Sequence, residues 1–140
     1  TMGYVVMQAQ QRAGGLCWRY WFDYVAEAEH ATYTNGAWHG NEVPYVFDTL
    51  GQVEPSRQYV NERDLAFAAQ VADYWVSFAR DAGARDSLVG PTRWPACRKG
   101  RDVLLRIGVN KHAGFRLENR FMRARMSLFK RVMKHHVSLD

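Results

Sequence analysis

Trp38-His39-Gly40-Asn41-Glu42-Val43-Pro44-Tyr45-Val46-Phe47 is the stretch on which the reading of this 140-residue chain turns. Its first half is a polar turn in which Gly40 lets the backbone bend close to the preceding ring. Its second half is apolar, with a proline near the start, as the first turn of a helix permits. Histidine is the residue type suited to taking a proton and returning it, which makes His39 a candidate general base. A lone loop histidine is more often solvated or structural than catalytic, and the flanking sequence has to decide.

Upstream, Leu16 to Val25 alternates like a strand. Trp18, Tyr20, Phe22 and Tyr24 share a wholly aromatic face suited to packing on helices, while Cys17, Arg19, Trp21, Asp23 and Val25 share a mixed one. Met2 to Arg12 carries apolar residues at helical spacing and is stopped by Gly14-Gly15. Ala26 to Gly40 reads as a loop with a turn at Thr34-Asn35-Gly36. Downstream, Asn61 caps a long helix that runs to Ala82, with Glu62 and Asp64 at its positive end. An apolar stripe of Leu65, Ala68, Ala69, Ala72, Trp75, Val76 and Ala79, widened by Phe67, Val71, Tyr74 and Phe78, predicts that this helix is largely buried. Asp86 to Arg101 reads as a loop around Trp94-Pro95, Val103 to Ile107 as a short strand, and Leu117 to His135 as a basic amphipathic helix. The apolar side of that last helix would hold Phe121, Met122, Met126, Phe129, Val132 and Met133.

His39-Gly40-Asn41-Glu42-Val43-Pro44-Tyr45-Val46-Phe47 resembles the histidine motif of type B carboxylesterases, the cholinesterase-like and para-nitrobenzyl esterase-like branch of the α/β-hydrolases. The resemblance continues on both sides in the family's order. Tyr20 to Val25 looks like the strand before the histidine loop, and Val71 to Arg80 looks like the long C-terminal helix. Trp94-Pro95 looks like a Trp-Pro-x-Tyr turn with Cys97 in place of the aromatic, and Leu104 to Gly108 looks like the last sheet strand. What the resemblance implies is an α/β chain: the C-terminal portion of an α/β-hydrolase fold, with about two sheet strands and three or four helices, incomplete by itself. It implies that His39 is the general base of a serine-dependent carboxylic ester hydrolase. Glu42 matches an acid buried behind the active site, and it is equally well read as an acid favoured at a helix N-terminus. Trp38 is a candidate for lining the substrate pocket or for covering its own loop.

The rest of such a site is not in these 140 residues. The serines are Ser56, Ser77, Ser87, Ser127 and Ser138, and none lies in a Gly-x-Ser-x-Gly elbow. No glycine-rich oxyanion loop occurs, and the family's acid precedes its histidine in chain order. The expectation is therefore a chain that is inactive unaided. Its partner would be the remainder of the hydrolase or a second copy, and a small-molecule ester would be the substrate of the complete enzyme. The alternative is a stand-alone oligomeric assembly protein descended from that segment, with a basic helix for partners or anionic surfaces.

Charge divides the chain. Residues 1–97 hold 7 Lys and Arg against 11 Asp and Glu, whereas residues 98–140 hold 12 against 3, so the net +5 belongs to the tail. Residues 1–110 are accordingly expected to form the hydrolase part and 111–140 a basic helical tail. That tail could pack on the body, mediate self-association, or meet nucleic acid or membrane, although no nucleic-acid motif accompanies it. Cys17 and Cys97 form no CxxC pair and read as ordinary thiols, with their disulfide status open. His135-His136, and His30 beside Glu27 and Glu29, offer too few ligands at the wrong spacing for a metal, and no cofactor is expected. No apolar run is long enough to span a membrane and no signal peptide is visible, which sets a cytoplasmic location as the expectation.

Overall fold

In the computed structural model, residues 2–98 and 100–133 are described. The elements run α1 (Met2–Arg12), β1 (Tyr20–Tyr24), a 3-10 turn (Glu27–Glu29), α2 (Val43–Val46), a second 3-10 turn (Ser56–Gln58), α3 (Glu62–Asp81), β2 (Ser87–Leu88), β3 (Trp94–Pro95), β4 (Val103–Asn119) and α4 (Arg123–Met133). This is the expected α/β arrangement. β1 and β4 pair in parallel, with Tyr20 opposite Leu105 and Phe22 opposite Ile107. β2 and β3 form a separate antiparallel pair inside the segment expected to be only a loop. Trp94, 3 % exposed, pins that segment to the core, and its carbonyl accepts from Trp18 Nε1 over 3.1 Å.

α3 organises the core. Its first turn is closed by a capping box: the Asn61 side chain accepts from the Arg63 and Asp64 amides, and Asp64 accepts from the Asn61 amide. The aromatic face of β1, with Trp18 just before it, meets α3 at three points. Trp18 meets Phe78 at 5.6 Å, Tyr20 meets Trp75 at 5.1 Å and Tyr24 meets Phe67 at 4.4 Å between ring centroids. Aromatic pairs of this kind are worth about 0.5–1.5 kcal/mol each beyond the area they bury. On the opposite face of β1, Arg19 pairs with Asp102, Asp23 with Arg106, and Trp21 with Phe121.

Only one side of α3 is buried: it takes Ala68 from the predicted stripe and Phe67, Val71 and Tyr74 from its widening, with Ala72 and Trp75 half-buried. The buried residues are Asp64, Phe67, Ala68, Val71, Tyr74, Ser77 and Asp81. Leu65, Ala69, Val76 and Ala79 are exposed. The helix is apolar around most of its circumference, so spacing alone did not select a face. Its buried side also carries three polar residues that periodicity counts against burial, Asp64, Ser77 and, at the last turn, Asp81, which pairs with Arg80. Asp64 is acceptable there because it accepts from the Tyr24 hydroxyl, and Ser77 because its oxygen accepts from the Val89 amide over 3.0 Å.

β4 is the largest departure from expectation. It continues far past Ile107, to Asn119. A straight strand of 17 residues would be about 56 Å long. Instead, the Arg120 amide returns to the Asp102 carbonyl at 2.9 Å, so β4 folds back on itself. The reversal lies at Asn110 and Lys111, both with positive φ (52° and 71°), as in a two-residue type I′ hairpin turn. The returning arm brings Phe115 onto Phe67 and Tyr74, with centroids 5.1 and 5.3 Å apart. The expected boundary between residues 110 and 111 thus falls at the tip of this hairpin.

The final helix is shorter than the predicted Leu117 to His135, because Leu117 belongs to β4. Along α4, Met126, Phe129 and Met133 are half-buried, as are Phe121 and Met122 just before it, while Val132 is exposed. Lys130 Nζ donates to Gln8 Oε1 on α1 over 2.6 Å. His135 and His136 lie outside the described residues.

The hairpin carries an acid-sensitive clamp. Burial works to raise the Glu118 carboxyl, but hydrogen bonds and charge from Arg116 and Arg106 outweigh it and hold the group below its usual range. A depressed carboxyl stabilises the fold above its unfolded pKa, and the contribution is lost as pH falls through the lower folded value. Glu118→Gln is therefore expected to lower the urea midpoint at pH 7 and to flatten its decline below about pH 4.5. Parallel wild-type and mutant curves across that range would show that the clamp contributes nothing.

Candidate active-site loop

The histidine loop hangs from the carboxyl end of β1. Asn41, 6 % exposed, donates through Nδ2 to the carbonyl of Tyr24, the last residue of β1, over 2.9 Å. Its amide donates to the Trp38 carbonyl at 3.2 Å, and the Val43 amide donates to the Gly40 carbonyl at 3.1 Å. Gly40 adopts φ +85°, which an L side chain rarely takes up. His39 is therefore held at the apex of a tight turn with its side chain exposed. Parallel α/β sheets present ligands at this end of their strands.

Asn41 is the residue that sequence reasoning missed. Its side chain replaces a backbone partner for the end of β1 and fixes where His39 stands. The only signal in the sequence was an asparagine beside a turn glycine, and that combination also marks ordinary loops.

Below the loop, β1 is locked by buried phenols. The Tyr24 hydroxyl donates to Asp64, and the Glu27 amide reaches the same carboxylate at 3.3 Å. Burial, then the bond to Asp64 and its charge, push the Tyr24 hydroxyl far above its usual range. Tyr45, from the apolar half of the motif, is 1 % exposed, and burial raises its hydroxyl likewise. Tyr24 thus serves as a donor to Asp64, and Tyr45 as a packing group against Phe22, Tyr24 and Phe67.

The structure places the other two candidates on either side of His39. Glu42 is half-buried at the N-terminus of α2, where its side chain makes no capping bond. Burial and then the charge of Glu42 raise the Tyr20 hydroxyl, which puts the carboxylate within electrostatic reach of β1. Trp38 is 47 % exposed, leans on Tyr33 and forms part of the wall of a cleft of about 410 Å³ with Asn41, Tyr45 and Tyr59. His39 is not part of that wall. His30 serves the scaffold: Nε2 bonds the Val25 carbonyl at 2.8 Å, and its own carbonyl accepts from Lys111 Nζ at 3.1 Å. Among the described residues, no three His, Cys, Asp or Glu side chains gather as a metal site, and no helix is long and apolar enough to cross a membrane.

The fold has a close counterpart. A crystal structure of a Geobacillus stearothermophilus carboxylesterase at pH 6.2 superposes with a TM-score of 0.64 at 24 % identity, covering 86 % of this chain. That likeness establishes the shared α/β-hydrolase fold. The match occupies 23 % of the Geobacillus protein, so this chain corresponds to under a quarter of it. No curated protein matches the chain. The family model described as "Carboxylesterase family" matches from residue 2 to residue 128. That match runs through α1, the histidine loop, α3 and both arms of β4, and by it the chain belongs to the carboxylesterase family.

Proposed function

We propose that this chain supplies the histidine half of a serine carboxylesterase site. His39 acts as the general base that takes the proton of a serine hydroxyl during attack on an ester carbonyl and returns it to the leaving alcohol. The serine, the triad acid and the oxyanion donors come from polypeptide outside these 140 residues. The observation that carries the reading is the Asn41 anchor, which fixes an exposed His39 at the carboxyl end of β1. Glu42 would lie behind the site, close to the strand, and Trp38 would border the ester.

The surface supports a missing neighbour. Among the described residues β1 pairs on one side only, with β4, which leaves its other edge open. Leu65, Val76, Phe78 and Val89 expose apolar area along α3 and the segment after it. We assign that surface and the open edge of β1 to the rest of the hydrolase.

Two measurements test the proposal. The purified chain is expected to hydrolyse p-nitrophenyl acetate no faster than equimolar free imidazole, because the oxyanion donors that lower the barrier are missing. Faster turnover that disappears in His39→Ala would refute this. A chimera in which these residues replace the corresponding region of the Geobacillus carboxylesterase is expected to hydrolyse the same ester through His39. Folded, active chimera that is indifferent to His39→Ala would remove the role assigned to that residue.

A further inference from the structure

Cys17 and Cys97 take no part in the site, yet the fold brings them together from distant positions in the chain. Cys17 lies just before β1 and Cys97 just after β3, and they face each other as an isolated antiparallel bridge. The Cys97 amide donates to the Cys17 carbonyl over 2.7 Å. Residues opposed in this way have α-carbons about 5.5 Å apart, within the separation most common across a disulfide. The side chains share one side of the bridge: Cys17 packs against the apolar cluster of Met7, Cys97 and Val103. Both are free thiols. Cys97 donates to the Val103 carbonyl at 2.9 Å, and Cys17 makes a long contact to the Met7 carbonyl at 3.9 Å.

We propose that Cys17 and Cys97 are a disulfide-forming pair that ties the segment entering β1 to the segment between β3 and β4. The two thiols differ in access, and this sets the order of events. Cys97 is 1 % exposed, whereas Cys17 is half-buried. The Cys17 thiolate attacks one sulfur of a small-molecule disulfide such as oxidised glutathione. A mixed disulfide forms and one glutathione thiolate leaves. The Cys97 thiolate then attacks the Cys17 sulfur, the Cys17–Cys97 bond forms, and the second glutathione thiolate leaves. The protein loses two electrons and two protons, and the oxidant becomes two thiols.

The surroundings make this a slow crosslink. Burial, followed by the neighbouring Cys97, pushes the Cys17 thiol up to about 11, and Arg19 offsets this only in part. Burial raises Cys97 as well, against the bond to Val103 and the charge of Arg19, with Asp102 adding to the rise. Arg19 and Asp102 are themselves paired, so little net charge remains to stabilise a thiolate. Because the thiolate is the nucleophile, the rate is expected to rise about tenfold between pH 7.5 and 8.5.

The test uses the full chain, reduced, desalted and incubated with oxidised glutathione at pH 8.5. After acid quenching, free thiols are alkylated with N-ethylmaleimide in denaturant and the product is mapped by mass spectrometry. The expected product is a monomer with no alkylatable thiol, a mass about 2 Da below the reduced chain, a linked Cys17–Cys97 peptide, and a higher urea midpoint that dithiothreitol reverses. Cys97→Ser is expected to stop at a glutathione adduct on Cys17, and Cys17→Ser to leave Cys97 unmodified. A wild-type chain that halts at the Cys17 adduct, that forms disulfide-linked dimers, or that keeps two alkylatable thiols would overturn the proposal.

Discussion

His39→Ala, in the chimera that places this region on the Geobacillus carboxylesterase, is expected to lower kcat/KM for p-nitrophenyl acetate by up to about a million-fold. That ratio corresponds to about 8 kcal/mol of lost transition-state stabilisation. The size follows from what the imidazole would do. Without a base the serine hydroxyl stays protonated and is a poor nucleophile, and the leaving alcohol has no proton donor. The oxyanion donors would still act, so activity should fall to a floor and not to zero. Asn41→Ala provides a graded companion. It keeps the imidazole but frees the loop from the Tyr24 carbonyl. A misplacement of about 1 Å can cost about a hundredfold, so its loss should fall between wild type and His39→Ala. Equal activity of Asn41→Ala and wild type would show that the anchor is not what positions the histidine.

Gly108→Ala is expected to destabilise the chain by about 4 kcal/mol, a large part of the ~5–15 kcal/mol that holds a typical domain folded. Two separate costs meet at this residue. Its φ of +83° is unfavourable for any residue with a β-carbon. A β-carbon there would also sit 2.4 Å from the Tyr24 amide nitrogen and 2.8 Å from the Asp23 carbonyl carbon. Both of those atoms are backbone, so no side chain can move aside, and β1 and β4 would have to separate. Each cost is of the order of 1–3 kcal/mol. The effect should reach the site, because Tyr24 is where Asn41 attaches. Urea unfolding followed by circular dichroism measures it. A midpoint within error of wild type would mean that the register between Phe22 and Tyr24 is not as tight as the structure places it. Gly114, where an added β-carbon would meet only Val109 at 3.7 Å, provides the contrast: it has positive φ without the collision.

The contrast between β1 and β4 shows where sequence reading succeeds. β1 was legible because Trp18, Tyr20, Phe22 and Tyr24 repeat with period two and all pack on the core, three of them on α3 and Phe22 on Tyr45 of α2. β4 was legible only to Ile107. Its turn carries Asn110-Lys111, which lacks the glycine that usually marks a type I′ hairpin. Lys111 holds its positive φ with help from contacts made far away in the chain: its carbonyl accepts from the Val25 amide at 3.2 Å and its ammonium reaches the His30 carbonyl. The segment beyond it, being basic and apolar by turns, then passed for the start of a helix.

The candidate site divides in the same way. The motif from His39 to Phe47 and its order between a strand and a long helix were readable, and the family match rests on the same chain. The Asn41 anchor was not, since its acceptor is the end of a strand whose position depends on Gly108 and β4.

Neighbouring residues alone specify the N-cap of α3 at Asn61, the aromatic period of β1, the turn at Gly40 and the motif by which the chain resembles the carboxylesterase family. These are local features, written in neighbouring residues and fixed by backbone preference, capping and spacing. Only the tertiary structure decided which side of α3 is buried, where β4 turns back, what holds the histidine loop in place, and that Cys17 lies opposite Cys97. Each of those depends on a hydrogen bond or contact between residues far apart in the chain, and the physics that selects it acts only once the elements have packed.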